Sequence, residues 1–258
     1  MSGMDRNVIL RQMGITQWVL RDAGQQASAP EKQDEQVGLG AATEAAAPRK
    51  VSPSVTVEAS PEKTRDADIE RPEVALTLES LRQQVNDCTA CELAQSRTRA
   101  VFGEGPESAD WLFVGEAPGQ QEDRQGKPFV GRAGGLLTQM LLALGQPREQ
   151  VFIANVLKCR PPNNREPLPK EIRACEVYLL KQIELVRPRV MVALGRISAQ
   201  ALLDTDQPLG KLRGRVHHYG PSRTPLIVTY HPAYLLRQPA DKGKVWADLL
   251  LAHRQIPL

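Results

Sequence analysis

Aromatic side chains are scarce in this sequence and unevenly placed. They make up 4% of the 258 residues, and none stands between Trp18 and Phe102. Residues 22–75 are instead rich in Ala, Glu, Pro, Gln and Ser, which bury too little surface to offset chain entropy. They are expected to form a disordered linker with an r.m.s. span of roughly 40 Å. Long apolar runs are also missing. No stretch of about 18 apolar residues occurs, so no transmembrane helix is expected. Arg11, Gln12 and Gln17 interrupt the apolar residues near the N-terminus, which argues against a signal peptide and for a cytoplasmic location. Neither phosphate-binding glycine fingerprint, Gly-x-x-x-x-Gly-Lys-Ser/Thr or Gly-x-Gly-x-x-Gly, is present. Cysteine is limited to four residues. In a reducing compartment, four thiols are expected to bind metal rather than to pair.

Charge divides the chain. The first 75 residues carry 9 basic and 12 acidic side chains, and the remaining 183 carry 24 and 18. A basic folded part behind an acidic tether suits a polyanionic partner. Residues 1–21 are too short to fold alone, yet residues 6–21 are apolar around Gly14 and carry Trp18. That combination suits a docking peptide.

Residues 76–258 read as one folded domain. Leu76, Leu78, Leu81 and Val85 have helical spacing. Trp111-Leu112-Phe113-Val114, Val151-Phe152-Ile153-Ala154, Val190-Met191-Val192-Ala193-Leu194 and Leu226-Ile227-Val228-Thr229-Tyr230 read as buried strands, and residues 212–219 as a further one. Helices are expected over 136–144, closed by Gly145, over 169–186, near 197–203 and over 244–253. Alternating strands and helices predict an α/β three-layer sandwich with a central, mostly parallel sheet. In such a sheet the ligand site lies off the carboxyl ends of the strands. The segments at Gly115-Glu116, Asn155 and His231 follow three of those ends and can converge.

The cysteines fall as Cys88-x-x-Cys91, then Cys159, then Cys175. Four thiolates fit a zinc ion or a [4Fe-4S] cluster, and spacing does not choose between them. The loop Gly115-Glu116-Ala117-Pro118-Gly119 offers unobstructed backbone N–H groups for the edge of a planar ligand, or it forms a tight turn.

Taken together, Gly-Glu-Ala-Pro-Gly at 115–119, Gly-Lys-Pro-Phe-Val-Gly at 126–131, Asn-Val-Leu-Lys-Cys-Arg-Pro-Pro at 155–162, His-Pro-Ala-Tyr-Leu-Leu-Arg at 231–237 and the four cysteines resemble family 4 uracil-DNA glycosylases. The resemblance covers about residues 80–254. It implies an enzyme that excises uracil from single- or double-stranded DNA by hydrolysing the N-glycosidic bond after base flipping, leaving an abasic site. It implies a [4Fe-4S] cluster on Cys88, Cys91, Cys159 and Cys175. Phe129 would stack on the base, Asn155 would read its edge, and the backbone of Gly115, Ala117 and Gly119 would serve its O2 side. His231 would stabilise the departing uracil anion. Glu122 and Asn164 would orient or activate the attacking water, with Glu116 as scaffold or secondary electrostatic stabiliser. Leu235 or Leu236 could wedge into the vacated stack, or begin a packed helix. Lys127, Arg132, Arg160, Arg165, Lys211, Arg213, Arg215 and Arg237 are candidates for phosphate contacts. One related branch crosslinks to DNA through a histidine after the first motif. None stands between Gly119 and Gly134, so no covalent product is expected.

Residues 12–21 are similar to the N-terminal peptide of the psi subunit of the bacterial DNA polymerase III clamp loader, which docks on the chi subunit. This implies a repair enzyme, taken to be monomeric, tethered to the replisome through chi. It alternatively implies a non-catalytic psi-like clamp-loader subunit on a glycosylase fold.

Overall fold

The computed structural model describes residues 76–256. The docking peptide expected at 1–21 and the linker expected at 22–75 lie outside the described residues. No described helix is long and apolar enough to cross a membrane.

Strand β1 (Trp111–Gly115) is buried along its whole length, as its unbroken apolar sequence requires of a parallel strand covered on both faces. It pairs in parallel with β2 (Phe152–Asn155) and with β3 (Val190–Leu194). β5 (Thr224–Thr229) adds in parallel to β3, and β4 (Val216–Tyr219) closes the edge antiparallel to β5. The sheet order is β2-β1-β3-β5-β4.

Alternate side chains of the central strands enter two different cores. Trp111, Phe113, Val192 and Ile227 pack with Leu137, Met140 and Leu141 of α4 (Arg132–Ala143) and with Val245 and Leu249 of α9 (Lys242–His253). Leu112, Val114, Met191 and Val228 pack with Leu81 of α1 (Leu78–Asn86), Leu179 and Ile183 of α5 (Pro169–Val186), and Leu202 of α6 (Arg196–Leu203). Helices therefore cover both faces, and the expected three layers are present.

Thr77 starts α1 with a capping box to Ser80. Gly145, at φ +77, ends α4: its N–H donates to Leu142 O and that of Gln146 to Leu141 O. These are the paired bonds of a left-handed helix stop.

The short elements escaped the sequence reading. Helices α2 (Leu93–Ser96), α3 (Gln120–Gln125), α7 (Leu209–Leu212) and α8 (Pro232–Leu235) are one or two turns long, below the reach of periodicity. Helix α7 ends at Leu212 and pairing with β5 starts only at Val216, so β4 is shorter than the expected 212–219. Helix α4 begins at Arg132 rather than 136, although Gly134 and Gly135 are poor helix formers. Packing explains Gly134: a Cβ there would lie 1.8 Å from Phe129 O.

Candidate active site

The carboxyl ends of β1, β2 and β5 open into a cleft of about 510 Å³. Its lining includes Glu116, Ala117, Gly119, Glu122, Phe129, Asn155, Asn164 and His231. Eight of the residues singled out from sequence thus share one cavity. Gly115 does not line it. It pairs with Asn155 across β1 and β2. A Cβ at Gly115 would lie 2.3 Å from Asn155 Oδ1 and 2.6 Å from Phe129 Cζ. Its missing side chain is therefore the space that Asn155 and Phe129 occupy.

Asn155 is 2% exposed, and its Oδ1 is buried with no hydrogen-bond partner. A buried amide oxygen left unpaired costs about 1–3 kcal/mol, which makes it an acceptor waiting for a donor. Phe129 forms the neighbouring wall. It holds a left-handed backbone at φ +51, unusual for a bulky residue. Arg148 donates to the carbonyls of Phe129 and Pro128, and Gly134 lets α4 abut the Phe129 backbone. The Phe129 and His231 ring centroids lie 5.5 Å apart, with planes inclined by 32°.

His231 caps α8. Its Nδ1 accepts the backbone N–H of Ala233 at 3.1 Å. An amide can only donate, so Nδ1 is unprotonated and the neutral ring carries its proton on Nε2. Burial first, and then the nearby Arg237, push the ring's pKa down to about 4, with Glu122 opposing. The cleft therefore holds a neutral imidazole donor. Gly195, at φ +99 after β3, lets His231 come close: a Cβ there would lie 3.1 Å from His231 Cβ. The other three histidines are occupied elsewhere. His217 and His218 bond to the carbonyls of Leu212 and Arg223, and His253 stacks on Trp111.

Glu122 sits on α3, not in an open loop. Its Oε1 accepts the N–H groups of Val130 and Gly131, each at 2.9 Å. Its Oε2 lies over Gly119, where a Cβ would come within 2.7 Å. The carboxylate is thus anchored through one oxygen. Asn163 and Asn164 both take left-handed backbone, at φ +55 and +53, a conformation that asparagine tolerates. Arg160 Nε donates to Asn164 Oδ1 at 2.7 Å, which occupies one lone pair of that oxygen and orients the amide. Burial raises the pKa of Glu116, reinforced by Glu166 and opposed by Arg196.

Cys88, Cys91, Cys159 and Cys175 surround one small cavity beside this cleft, and all four are free thiols. Ala117 of the cleft packs on their apolar surroundings. Among the described residues, no three potential ligands meet closely enough for a single metal ion. N–H groups point at three of the sulfurs: Arg97 Nη1 at Cys159, the Lys158 amide at Cys175 and the Ala90 amide at Cys88. Such donors favour thiolates. Burial opposes them, raising the Cys159 thiol and pushing that of Cys175 up to about 11.

Besides Arg160, three phosphate candidates are already engaged. Arg165 grips Glu171, itself 1% exposed, with Nη1 on Oε2 at 2.9 Å and Nη2 on Oε1 at 2.6 Å. Arg213 pairs with buried Asp248 and lies 4.2 Å from the Tyr230 ring centroid. Lys127 pairs with Glu104. Arg237 lines the cleft. Of the two leucines after the histidine, Leu235 belongs to the core and Leu236 is exposed. The sequence reading missed the clamp residues Arg148 and Glu171, and it missed Lys158, which is 1% exposed. A lysine or arginine read from sequence alone counts as a surface residue.

The profile of the uracil DNA glycosylase superfamily matches residues 102–250. Over 179 residues the chain is 44% identical to the Type-4 uracil-DNA glycosylase of Archaeoglobus fulgidus, covering 67% of this chain and 89% of that one. Over 167 residues it is 46% identical to the Type-4 uracil-DNA glycosylase of Thermotoga maritima, covering 64% and 86%. A Type-5 uracil-DNA glycosylase of Thermus thermophilus is 32% identical over 171 residues, covering 59% and 76%.

Proposed function

Because this chain belongs to the uracil DNA glycosylase superfamily, we propose that the cleft receives one uracil flipped from DNA and that its walls hydrolyse the N-glycosidic bond. The protein is a uracil-DNA glycosylase, a hydrolase of N-glycosyl bonds. The observation that carries the residue assignment is the unpartnered Oδ1 of Asn155 in a cleft shared with Phe129 and His231.

In this reading Phe129 stacks on the base. Asn155 Oδ1 accepts uracil N3–H, and its amide N–H donates to O4. Cytosine presents the reversed edge and would leave both groups unpaired, which a buried site rejects strongly. As the glycosidic bond stretches, negative charge develops on O2 of the leaving base. His231 Nε2–H donates there, and a neutral donor already in place needs no reorganisation. Glu122, anchored through Oε1, accepts from the attacking water at Oε2. Asn164, its carbonyl held by Arg160, steadies that water as a donor. The exposed Leu236 fills the vacated stack, with Arg237 at the cleft rim near phosphate.

The four cysteines fit a [4Fe-4S] cluster. They line one cavity, and four thiolates around one space suit the cluster that the resemblance implies. When bound, the cluster supplies a structural cross-link between the turn after α1, the loop after β2 and α5.

A uracil-containing oligonucleotide incubated with the cluster-loaded protein should become alkali-labile at the uracil. Strands left intact after prolonged incubation would sink this reading. Docking of residues 6–21 on a chi-like subunit is a separate proposal, supported by residues 12–21 alone. In a chi pull-down, full-length protein should be captured and a form lacking residues 1–22 should not. Equal capture of both would remove it.

A further inference from the structure

Lys158 is a charged side chain in an apolar interior. It lies between the two features described above, the base-reading asparagine and the cysteine centre. Its Nζ donates to the backbone carbonyl of Asn155 at 2.7 Å and to Gln182 Oε1 at 2.6 Å. Gln182 is fully buried, and its amide donates to Phe102 O at 2.8 Å. The Lys158 backbone N–H donates to Cys175 Sγ at 3.3 Å, and its carbonyl accepts from Val101 at 2.8 Å. One residue thus touches the asparagine with its side chain and a cysteine sulfur with its main chain.

A buried ammonium is penalised by several kcal/mol unless an opposite charge stands near it. Both side-chain acceptors of Lys158 are neutral oxygens. Among the described residues, the groups near it that can carry an opposing charge are the thiols of Cys175 and Cys159. Those sulfurs become thiolates when they ligate metal. A methionine would fill the same space without needing any countercharge, so packing alone does not account for a lysine.

We propose that Lys158 is a positioning residue that makes the geometry of Asn155 depend on the cysteine-held centre. The centre's negative charge keeps the ammonium in place, and the ammonium pins the Asn155 carbonyl at the end of β2. Without that pin the Asn155 side chain loses its fixed aim into the cleft. This gives the centre a role in base recognition without any part in bond cleavage. The inference rests on the assignment of Asn155 as the uracil reader.

The test is a comparison of Lys158→Met with the wild-type holoenzyme. The readouts are free-uracil binding by equilibrium dialysis, KM and kcat on a single-stranded uracil oligonucleotide, circular dichroism and visible cluster absorbance. Uracil affinity is expected to fall about tenfold, the worth of one well-placed hydrogen bond, with KM rising more than kcat falls. Folding and cluster absorbance should stay as in wild type. Stripping the cluster from the wild type should weaken uracil binding by a similar factor, while stripping it from Lys158→Met should add less than about twofold. If Lys158→Met yields no folded holoprotein, Gln182→Met removes one of the two Nζ acceptors and is expected to shift uracil affinity in the same direction. Wild-type uracil affinity in the variant, or losses from substitution and stripping that multiply, would overturn the proposal. Wild-type holoenzyme that neither binds uracil nor cleaves the oligonucleotide would instead remove the underlying reading of the cleft, and this proposal with it.

Discussion

His231 Nδ1 accepts the backbone N–H of Ala233 at 3.1 Å, and this one bond decides what the histidine can do. It places the proton of the neutral ring on Nε2. With the ring's pKa near 4, the excision rate should be level down to about pH 5 and fall on an acid limb near 4. Protonation at Nδ1 would break the Ala233 bond there. An unfolded histidine takes its proton near 6.5. Stability from this residue is therefore complete above about 6.5 and lost progressively as pH falls toward 4. His231→Ala should slow excision about 10²–10³-fold, measured as single-turnover rates across pH. An acid limb that persists unchanged in the variant would refute the assignment.

Asn155→Ala should lower kcat/KM for uracil by about 10²-fold or more, since it removes both edge contacts. The same change relieves an unpaired buried oxygen, so thermal stability should hold or rise slightly. A large fall in Tm would indicate a structural role instead.

Glu122 has two functions that two substitutions separate. Glu122→Gln keeps an oxygen for the Val130 and Gly131 N–H groups, so the Phe129 loop should keep its shape. Without the carboxylate, single-turnover rates should fall about 10²-fold. Glu122→Ala should lose the same rate and also weaken uracil binding. Full activity in Glu122→Gln would exclude a water-activating role.

Neighbouring glycines in α4 should respond oppositely to alanine. Nothing lies within 4 Å of a Cβ at Gly135, so Gly135→Ala should stabilise by about 0.5–1 kcal/mol through helix propensity. At Gly134 the Cβ would meet Phe129 backbone atoms at 1.8 and 2.1 Å. Gly134→Ala should lower Tm markedly and displace the stacking wall, raising KM. Thermal melts of the two variants side by side check this.

Much of the site could be read from residue order. An apolar strand ending in a small-residue loop marks a pocket whatever its ligand, and Asn155 and His231 stand at such ends, while the roles of Phe129, Asn155 and His231 came from the family resemblance. Other residues have structural partners that residue order did not reveal, for a physical reason. Arg165 and Arg213 looked like phosphate ligands because guanidinium groups usually face solvent, but Glu171 and Asp248 hold them. The helix that carries Glu122 went unseen because α3 is too short to show a period. Gly115, expected to offer its backbone to the base, also yields its side-chain space to Asn155 and Phe129.

The order of apolar and polar residues along the chain was enough to specify the α/β layering, the central strands and the four cysteines, because burial on both sheet faces and thiol chemistry are local properties of residue type. The proton position on His231, the left-handed backbone of Phe129, the unpaired oxygen of Asn155 and the lysine buried behind it were settled only by folding. Each depends on a neighbour distant in sequence or on a backbone turn, and pairing, burial and aim arise only once those neighbours are brought into contact.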